Sequence, residues 1–359
     1  MNSRGVAGVL VASLLLSILA SAYVLYQANG VPGYCKNAER KMLGDFLSGI
    51  KELAAKQRDV IGSGTPSGVT LETQYAYPSI PFFLSPSYAS ASYSTYDITV
   101  TIANIASDEL QIPSSVILRG KALAATFNPV FSTPVSTFLE LGIITTDGAY
   151  IDGSIVGSGE IILPFFDGMP SMQLYPASAG GRGVVIKPLD PTKNITITIS
   201  GSKIPERAWK EYGKSTGYAV NYDRNNRTAK IEIPPNSYVL RSGISSFISG
   251  SAANPPNYLK PLTPTIQKSP GVVVVQAIDQ YFNPARGDIE LRFVQGSRDY
   301  TIQVPTSAGL TQVTLSDSYT VTGHELSVLI DVRSGTSVFV SKIQRAEGGI
   351  YEIAFAVTK

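Results

Sequence analysis

The chain has 359 residues, a formal net charge of +2 and only 16% charged residues. This length exceeds the roughly 250 to 300 residues at which single cores stop growing, so two or three domains are expected. The composition is typical of a β-rich exterior protein, and the near-neutral charge without a dense basic block argues against a nucleic-acid partner.

The first element is an apolar segment that contains no charged residue between Gly5 and Cys35. Residues 6–28 would form a helix of about 35 Å, long enough to cross a hydrocarbon core of about 30 Å. Tyr23 and Tyr26 lie where an aromatic belt is expected, and residues 30–33, with Pro32, are predicted to interrupt the helix. The sequence therefore predicts a helix that can span a bilayer.

The second element is an amphipathic helix over residues 36–60, with apolar residues at helical spacing and basic residues on the opposite face. Its apolar stripe needs a partner. Either the stripe packs on the chain's own β region, or it packs on copies of the chain. In the second interpretation it is an assembly stripe formed by Met42, Leu43, Phe46, Leu47, Ile50 and Leu53.

The amino terminus, Asn2-Ser3-Arg4-Gly5 followed directly by the apolar run, resembles an archaeal class III signal peptide of type IV pilin-like proteins. The resemblance implies that a prepilin-type peptidase cleaves between Gly5 and Val6 and that the apolar helix stays on the mature chain as an anchor or filament core. A small-x-small site at Ala20-Ser21-Ala22 leaves cleavage by ordinary signal peptidase open.

Orientation across the membrane is predicted from the pilin-like start. Lys36, Arg40 and Lys41 follow the apolar helix, whereas Arg4 alone precedes it, so the positive-inside rule by itself favours a cytoplasmic carboxyl side. Long domains translocate with little regard for charge, and the resemblance implies an inside amino terminus. The carboxyl side is therefore expected outside the cell.

Beyond a Gly/Ser-rich segment at residues 62–68, predicted to be a flexible linker, the apolar period changes from 3.6 to 2. Residues 98–102, 195–199 and 230–233 alternate between apolar and polar side chains and are predicted to be half-buried strands. One short helix is expected near residues 205–214, with Pro205 in its first turn and an apolar face of Ala208, Trp209 and Tyr212.

Prolines at 255, 256, 261, 264 and 270 predict a stiff connector before the last block. That block contains seven candidate strands, the number required by an immunoglobulin-like sandwich. They are residues 272–277, 288–294, 299–304, 311–315, 325–332, 337–343 and 350–357.

Two further resemblances concern the region beyond the linker. Residues 279–287 (DQYFNPARG) resemble the D-x-Y-x-N-P-x-x-G corner of invasin-type bacterial Ig-like domains, which implies a spacer or adhesive stalk. Tyr77-Pro78 through Ser85-Pro86, Trp209-Lys210-Glu211 and Tyr238-Val239-Leu240-Arg241 are similar to pilin-like surface proteins common in archaea. This second resemblance implies location and architecture, and no activity.

Two glycine-containing segments are candidate phosphate or anion sites. Gly213-Lys214-Ser215 lacks the first glycine of a phosphate-binding loop, because Ala208 stands in its place, so a helix end followed by a turn is predicted. Gly180-Gly181-Arg182-Gly183 is flexible and basic, but no helix amino terminus follows it. A surface loop is therefore the favoured interpretation over an anion site.

Four carboxylates are candidate metal ligands or members of an acid–base pair. Asp147-Gly148 and Asp152-Gly153 lack the D-x-D-x-D-G spacing of a calcium loop and are favoured as hairpin turns. An acid–base pair for glycoside cleavage would join Glu140 or Glu160 to either aspartate, but solvated strand residues are the favoured interpretation.

One cysteine and one histidine are too few for a Cys/His zinc site, and a single cysteine excludes internal disulfides. Cys35 is predicted to be buried rather than to join copies, and His324 to lie in a turn. Asn194 and Asn226 begin N-glycosylation sequons, which matter if they face the exterior.

Together these observations predict a mainly β fold: an N-terminal transmembrane or pilin-like helix and an amphipathic helix, followed by two β-sandwich-like domains, the last Ig-like. The predicted parts are a signal (1–5), a helical anchor (6–61), a central β domain (62–254), a linker (255–270) and an Ig-like domain (271–359). The predicted partners are the lipid bilayer, copies of the chain and the processing peptidase. No catalytic, metal or cofactor-binding residue is assigned, and an enzyme is not expected.

The predicted function is that of a membrane-anchored cell-surface structural or adhesion protein, resembling a pilin subunit. Two alternatives stay open: a non-polymerising surface module that binds an envelope glycan or protein, and an extracellular glycoside-active enzyme.

Overall fold

The computed structural model describes residues 3–79, 88–250, 255–262, 271–285, 287–295, 298–306, 310–315, 337–344 and 350–357. Ser85, Pro86, Pro264, Pro270, His324 and the predicted strand at 325–332 lie outside the described residues.

One long helical segment opens the chain. Helix α1 (Ser3–Leu25) continues through a π-helical turn (Tyr26–Gly30) into α2 (Val31–Ser63). The predicted interruption at residues 30–33 is therefore wrong. The Val31 amide donates to the Tyr26 carbonyl, five residues back. Pro32 lacks an amide proton and its ring crowds the preceding turn, and the wider π turn accommodates both effects without ending the helix.

After α2, fifteen strands form one large sheet. They are β1 (Ser67–Gly68), β2 (Gln74–Ala76), β3 (Tyr88–Ala103), β4 (Ile105–Ala106), β5 (Ser115–Asn128), β6 (Val135–Glu140), β7 (Ile143–Thr146), β8 (Ala149–Asp152), β9 (Glu160–Asp167), β10 (Gln173–Ser178), β11 (Val184–Pro188), β12 (Ile195–Ser200), β13 (Ala219–Asp223), β14 (Thr228–Ile233) and β15 (Tyr238–Ser246). The main path runs β1-β10-β15-β9-β5-β3-β12-β14-β13. The described pairings are antiparallel except that of β9 with β15.

The predicted alternation is confirmed in this sheet. Ile195, Ile197 and Ile199 of β12 are fully buried between partly exposed threonines, and β14 repeats the pattern. Helix α3 (Glu206–Thr216) joins β12 to β13 with Pro205 as its N-cap residue. Its predicted apolar face is buried in the same core as the isoleucines.

Helix α2 packs its apolar stripe on the chain's own sheet. Met42, Phe46, Ile50 and Leu53 are buried, and Leu43 and Leu47 are half-buried against the same core. Ala89, Ala91 and Ala125 of β3 and β5 are buried in the same core. The interpretation of these six residues as an assembly stripe is thereby corrected, because their partner lies within the chain.

The predicted flexible linker at residues 62–68 is largely ordered structure. Helix α2 extends to Ser63, and Gly64 caps it with φ 69°, a left-handed conformation that favours glycine. The Gly180 amide donates to the Ile61 carbonyl at 2.8 Å, and β1 pairs with β10. These contacts attach the end of the helix to the sheet.

The last block contains two antiparallel sheets. One consists of β16 (Tyr258–Pro261), β17 (Gly271–Ile278) and β20 (Leu310–Leu315); the other of β18 (Gly287–Gln295), β19 (Arg298–Thr306), β21 (Ser337–Gln344) and β22 (Ile350–Val357). Six of the seven predicted strands are confirmed. Strand β16 corrects the predicted 255–270 linker, because it pairs with β17 and its Tyr258 and Leu259 are buried. The Ig-like assignment stays a prediction, whereas the mainly β fold behind an apolar N-terminal helix is confirmed.

Candidate functional site

The most conspicuous surface of the molecule is the exposed apolar part of α1. Every described side chain from residue 8 to residue 25 is exposed, including Leu10, Leu14 and Ile18. The most apolar 18-residue window has a mean hydropathy of 2.3 and is not buried at all. By length and composition this helix can cross a membrane. A helix that is apolar on all sides requires lipid or other protein around it, because water alone does not solvate such a surface favourably.

Where α2 leaves the apolar segment, the buried Glu39 carboxylate attaches the helix to the sheet. Its Oε1 accepts hydrogen bonds from the amides of Val130 and Phe131, both at 2.8 Å, and from the Tyr77 hydroxyl. Its Oε2 accepts one from the Ser132 hydroxyl at 2.6 Å. Four donors from two loops thus converge on one side chain of the helix.

This arrangement keeps Glu39 ionised. Burial by itself raises the pKa of Glu39, but the four hydrogen bonds stabilise the carboxylate and bring its pKa below the usual value. Burial and contact with Glu39 raise the pKa of the Tyr77 phenol to about 12, so Tyr77 remains a donor. Cys35, one turn earlier, is fully buried as predicted, and burial followed by the Glu39 charge raises its thiol pKa.

A second buried carboxylate, Glu140, lies at the end of β6. It accepts hydrogen bonds from the Ser202 hydroxyl at 2.8 Å, from the amides of Lys203 and Ile204, and from the Tyr96 hydroxyl. Burial raises the pKa of Glu140, while these four donors act in the opposite direction. Glu140 is fully buried, so it holds the loop before α3 in place and offers no carboxylate to a substrate in solvent.

The other three candidate acid–base carboxylates each have a different partner. Asp147 accepts from the Ser136 amide at 3.0 Å in a hairpin turn, Asp152 pairs with Lys51 at 3.5 Å, and Glu160 pairs with Arg241 at 3.1 Å. Among the residues that the structure describes, no three His, Cys, Asp or Glu side chains group closely enough to hold a metal ion.

The remaining candidates are on the surface or in helices. Gly213, Lys214 and Ser215 lie inside α3, which ends before Gly217, so the predicted helix end is confirmed. Asn194 and Asn226 are exposed, as an acceptor for glycosylation must be. Arg4, Gly5 and Val6 lie within α1, and their processing stays a prediction.

The residues of the D-x-Y-x-N-P segment form a buried joint between the large sheet and the last block. Asn283 Nδ2 donates to the Ser178 hydroxyl and the Ser242 carbonyl, both at 2.8 Å, and its Oδ1 accepts from the Gly181 amide at 2.9 Å. Ser178 Oγ donates to Asp279 Oδ2 at 2.6 Å. The resemblance of this segment implied a turn within the last domain. In the structure, the turn instead joins the last block to the large sheet.

We expect Asn283→Ala to weaken this joint. The substitution leaves the Gly181 amide and the Ser242 carbonyl without a partner, at a cost of about 2–3 kcal/mol. Limited proteolysis should release the last block faster, and the melting temperature should fall. Asn225→Ala, in an exposed turn, is the matched control. Equal proteolysis of the two variants would contradict the prediction.

Reasoning from the sequence missed Glu39 and the interdomain role of Asn283. Glu39 had a detectable signal, because it stands at the position where the apolar stripe of Cys35 and Met42 requires an apolar residue. The interdomain role of Asn283 had no such signal, since its partners in the large sheet lie 41 to 105 residues away. In comparisons with known proteins, no family model and no curated protein matches the chain.

Proposed function

We propose that this chain is a membrane-anchored cell-surface protein, in which α1 lies in the bilayer and the β region is displayed outside the cell for adhesion or envelope structure. The observation that carries the proposal is the exposed, strongly apolar helix that continues through the π turn into α2 and from there into the core of the β region. Orientation and the pilin-like identity rest on the resemblance of the amino terminus.

The packing of α2 narrows the way in which copies would assemble. Because its stripe is already covered by the chain's own sheet, a filament would be built through α1. Burial of apolar surface between such helices contributes about 25 cal/mol per Å². The same observation favours a second candidate, a singly anchored module that binds a glycan or protein without polymerising.

Fractionation of cells that express the full chain tests the anchor. We expect the protein in the membrane fraction, resistant to high salt and alkaline carbonate and released by detergent. Protease added to intact cells should digest the β region, and the amino terminus of the mature chain should be Val6. A protein recovered from the cytosol would contradict the proposal.

Crosslinking distinguishes the filament from the single module. Ser17→Cys places a thiol on the exposed face of α1, whereas the natural Cys35 is buried. Disulfide-linked dimers of Ser17→Cys in native membranes would support assembly through α1. Exclusively monomeric protein would favour the singly anchored module.

A further inference from the structure

A cleft lies where the large sheet meets the last block. Its volume is 370 Å³, and its walls come from the loop of residues 180–183, from β16 and β17, and from the turn that follows β17. This volume is within the roughly 300 to 1,000 Å³ of small-molecule pockets, which form preferentially at domain junctions. This cleft has no role in the proposed membrane anchor, and neither Glu39 nor Glu140 lines it.

The loop on one side of the cleft is fixed from both sides. The Gly180 amide donates to the Ile61 carbonyl at 2.8 Å, and the Gly181 amide donates to Asn283 Oδ1 at 2.9 Å. A Cβ at residue 181 would stand 2.4 Å from Asn283 Oδ1, so the close approach requires glycine. The cleft is consequently preformed, which reduces the entropic cost of binding a ligand.

The opposite wall holds an aromatic residue in a strained conformation. Phe282 has φ 68°, in the left-handed region that a bulky side chain rarely adopts. Its ring stacks on Tyr258 at 5.5 Å between centroids, and Ile278 and Pro284 continue the apolar wall. Backbone strain of this kind persists where surrounding contacts hold it, often at ligand sites.

The polar groups of the cleft carry one uncompensated positive charge. Lys260 pairs with Glu109, so its charge is balanced. Arg182 is exposed and makes no ion pair within the described part of the chain. Gln276 adds a half-buried amide. An arginine fork binds a carboxylate through two parallel hydrogen bonds, and an amide pairs well with hydroxyl groups.

We propose that this cleft binds a sugar residue that bears a carboxylate, with Arg182 on the carboxylate, Gln276 on a hydroxyl group and the apolar wall against the ring. An extended acidic peptide fits less well. Peptides dock on free sheet edges; both edges of β17 are occupied, by β16 and β20, and β16, the terminal strand of this sheet in the described part of the chain, has only four residues. The proposal deepens the adhesive function and goes beyond the anchor.

Calorimetric titration of the full chain in detergent tests the cleft. The probes are digalacturonic acid, glucuronic acid and N-acetylneuraminic acid at millimolar concentration, with galactobiose as the neutral match. We expect at least one acid to bind and galactobiose to bind about tenfold more weakly or not at all. Arg182→Gln should lower the affinity for that acid about tenfold or more. Arg207→Gln, exposed on α3, should leave it unchanged.

Three results would overturn the proposal: no binding of any of the acids, equal binding of galactobiose, or unchanged affinity in Arg182→Gln. Because Arg182 is exposed, its variant should melt like the natural protein, and the melting curve verifies this. The titration does not depend on a membrane. A negative result therefore removes the cleft proposal and leaves the fractionation result for the anchor to stand separately.

Discussion

Replacing both Leu14 and Ile18 with arginine is expected to release the chain from membranes. Both side chains are exposed, lie one helical turn apart and are near the middle of α1. An arginine at the centre of a spanning helix costs about 3 kcal/mol on insertion scales, so the pair costs about 6 kcal/mol. Flotation of the expressed protein on a density gradient measures the loss.

The matched control places two arginines on an exposed apolar pair of the β region. Met169 and Met172 are 83% and 77% exposed, in the turn between β9 and β10. Met169→Arg with Met172→Arg should float like the natural protein. Since α1 does not pack on the sheet, the β region of the helix variant should melt unchanged in detergent. Undiminished flotation of the Leu14/Ile18 variant would contradict the anchor.

Removing the Glu39 carboxylate is expected to cause a large loss of folding stability. Glu39→Ala leaves the Phe131 amide and the hydroxyls of Tyr77 and Ser132 without their acceptor, and leaves the Val130 amide only the Tyr77 hydroxyl oxygen at 3.1 Å. Each buried donor that loses its partner costs about 1–3 kcal/mol, and relaxation recovers part of this, so a loss of about 3–5 kcal/mol is expected. Denaturant unfolding of the detergent-solubilised protein measures it.

The control is the same change on the exposed side of the same helix. Glu52 makes only a solvent-exposed pair with Lys56, so Glu52→Ala should cost less than about 1 kcal/mol. Glu39→Gln keeps one acceptor oxygen and should lie between the two. If Glu39→Ala unfolded at the same denaturant concentration as Glu52→Ala, the role assigned to this carboxylate would be wrong.

The lowered pKa of Glu39 adds a pH dependence with a definite sign. Its pKa in the folded protein lies below that of the unfolded chain, about 4.3 for glutamate. The ionised form therefore contributes stability above the unfolded pKa, and this contribution disappears as the pH falls through the folded pKa. The stability difference between the natural protein and Glu39→Gln should shrink on acidification below about pH 4.

These contacts explain how the apolar helix and the β region are joined. The π turn lets a single helix pass Pro32, and α2 then enters the core of the sheet instead of ending with the apolar segment. Glu39 fixes the start of α2 and the Ile61–Gly180 hydrogen bond fixes its end. Force applied to the β region would reach the apolar helix α1 through these two attachments.

The sequence alone determined the features that depend on neighbours in the chain. The apolar helix, the alternating strands such as β12 and β14, and α3 with its buried Trp209 all follow from periods of 3.6 and 2 and from proline placement. The burial of Cys35 was also predicted from the sequence. These patterns indicate which face of a helix or strand is apolar, and a few helical turns or a single strand are enough to show them.

Tertiary structure alone decided what those faces meet. The stripe of α2 fitted either a sheet or a second copy, and only the fold brought Phe46 against Tyr93 and Phe127 of the chain's own sheet. The donors to Glu39 come from residues 38 to 93 positions away, and the partners of Asn283 in the large sheet from 41 to 105 positions away. Hydrogen bonds between such distant positions leave no periodic signal, because their geometry depends on chain folding and not on local spacing.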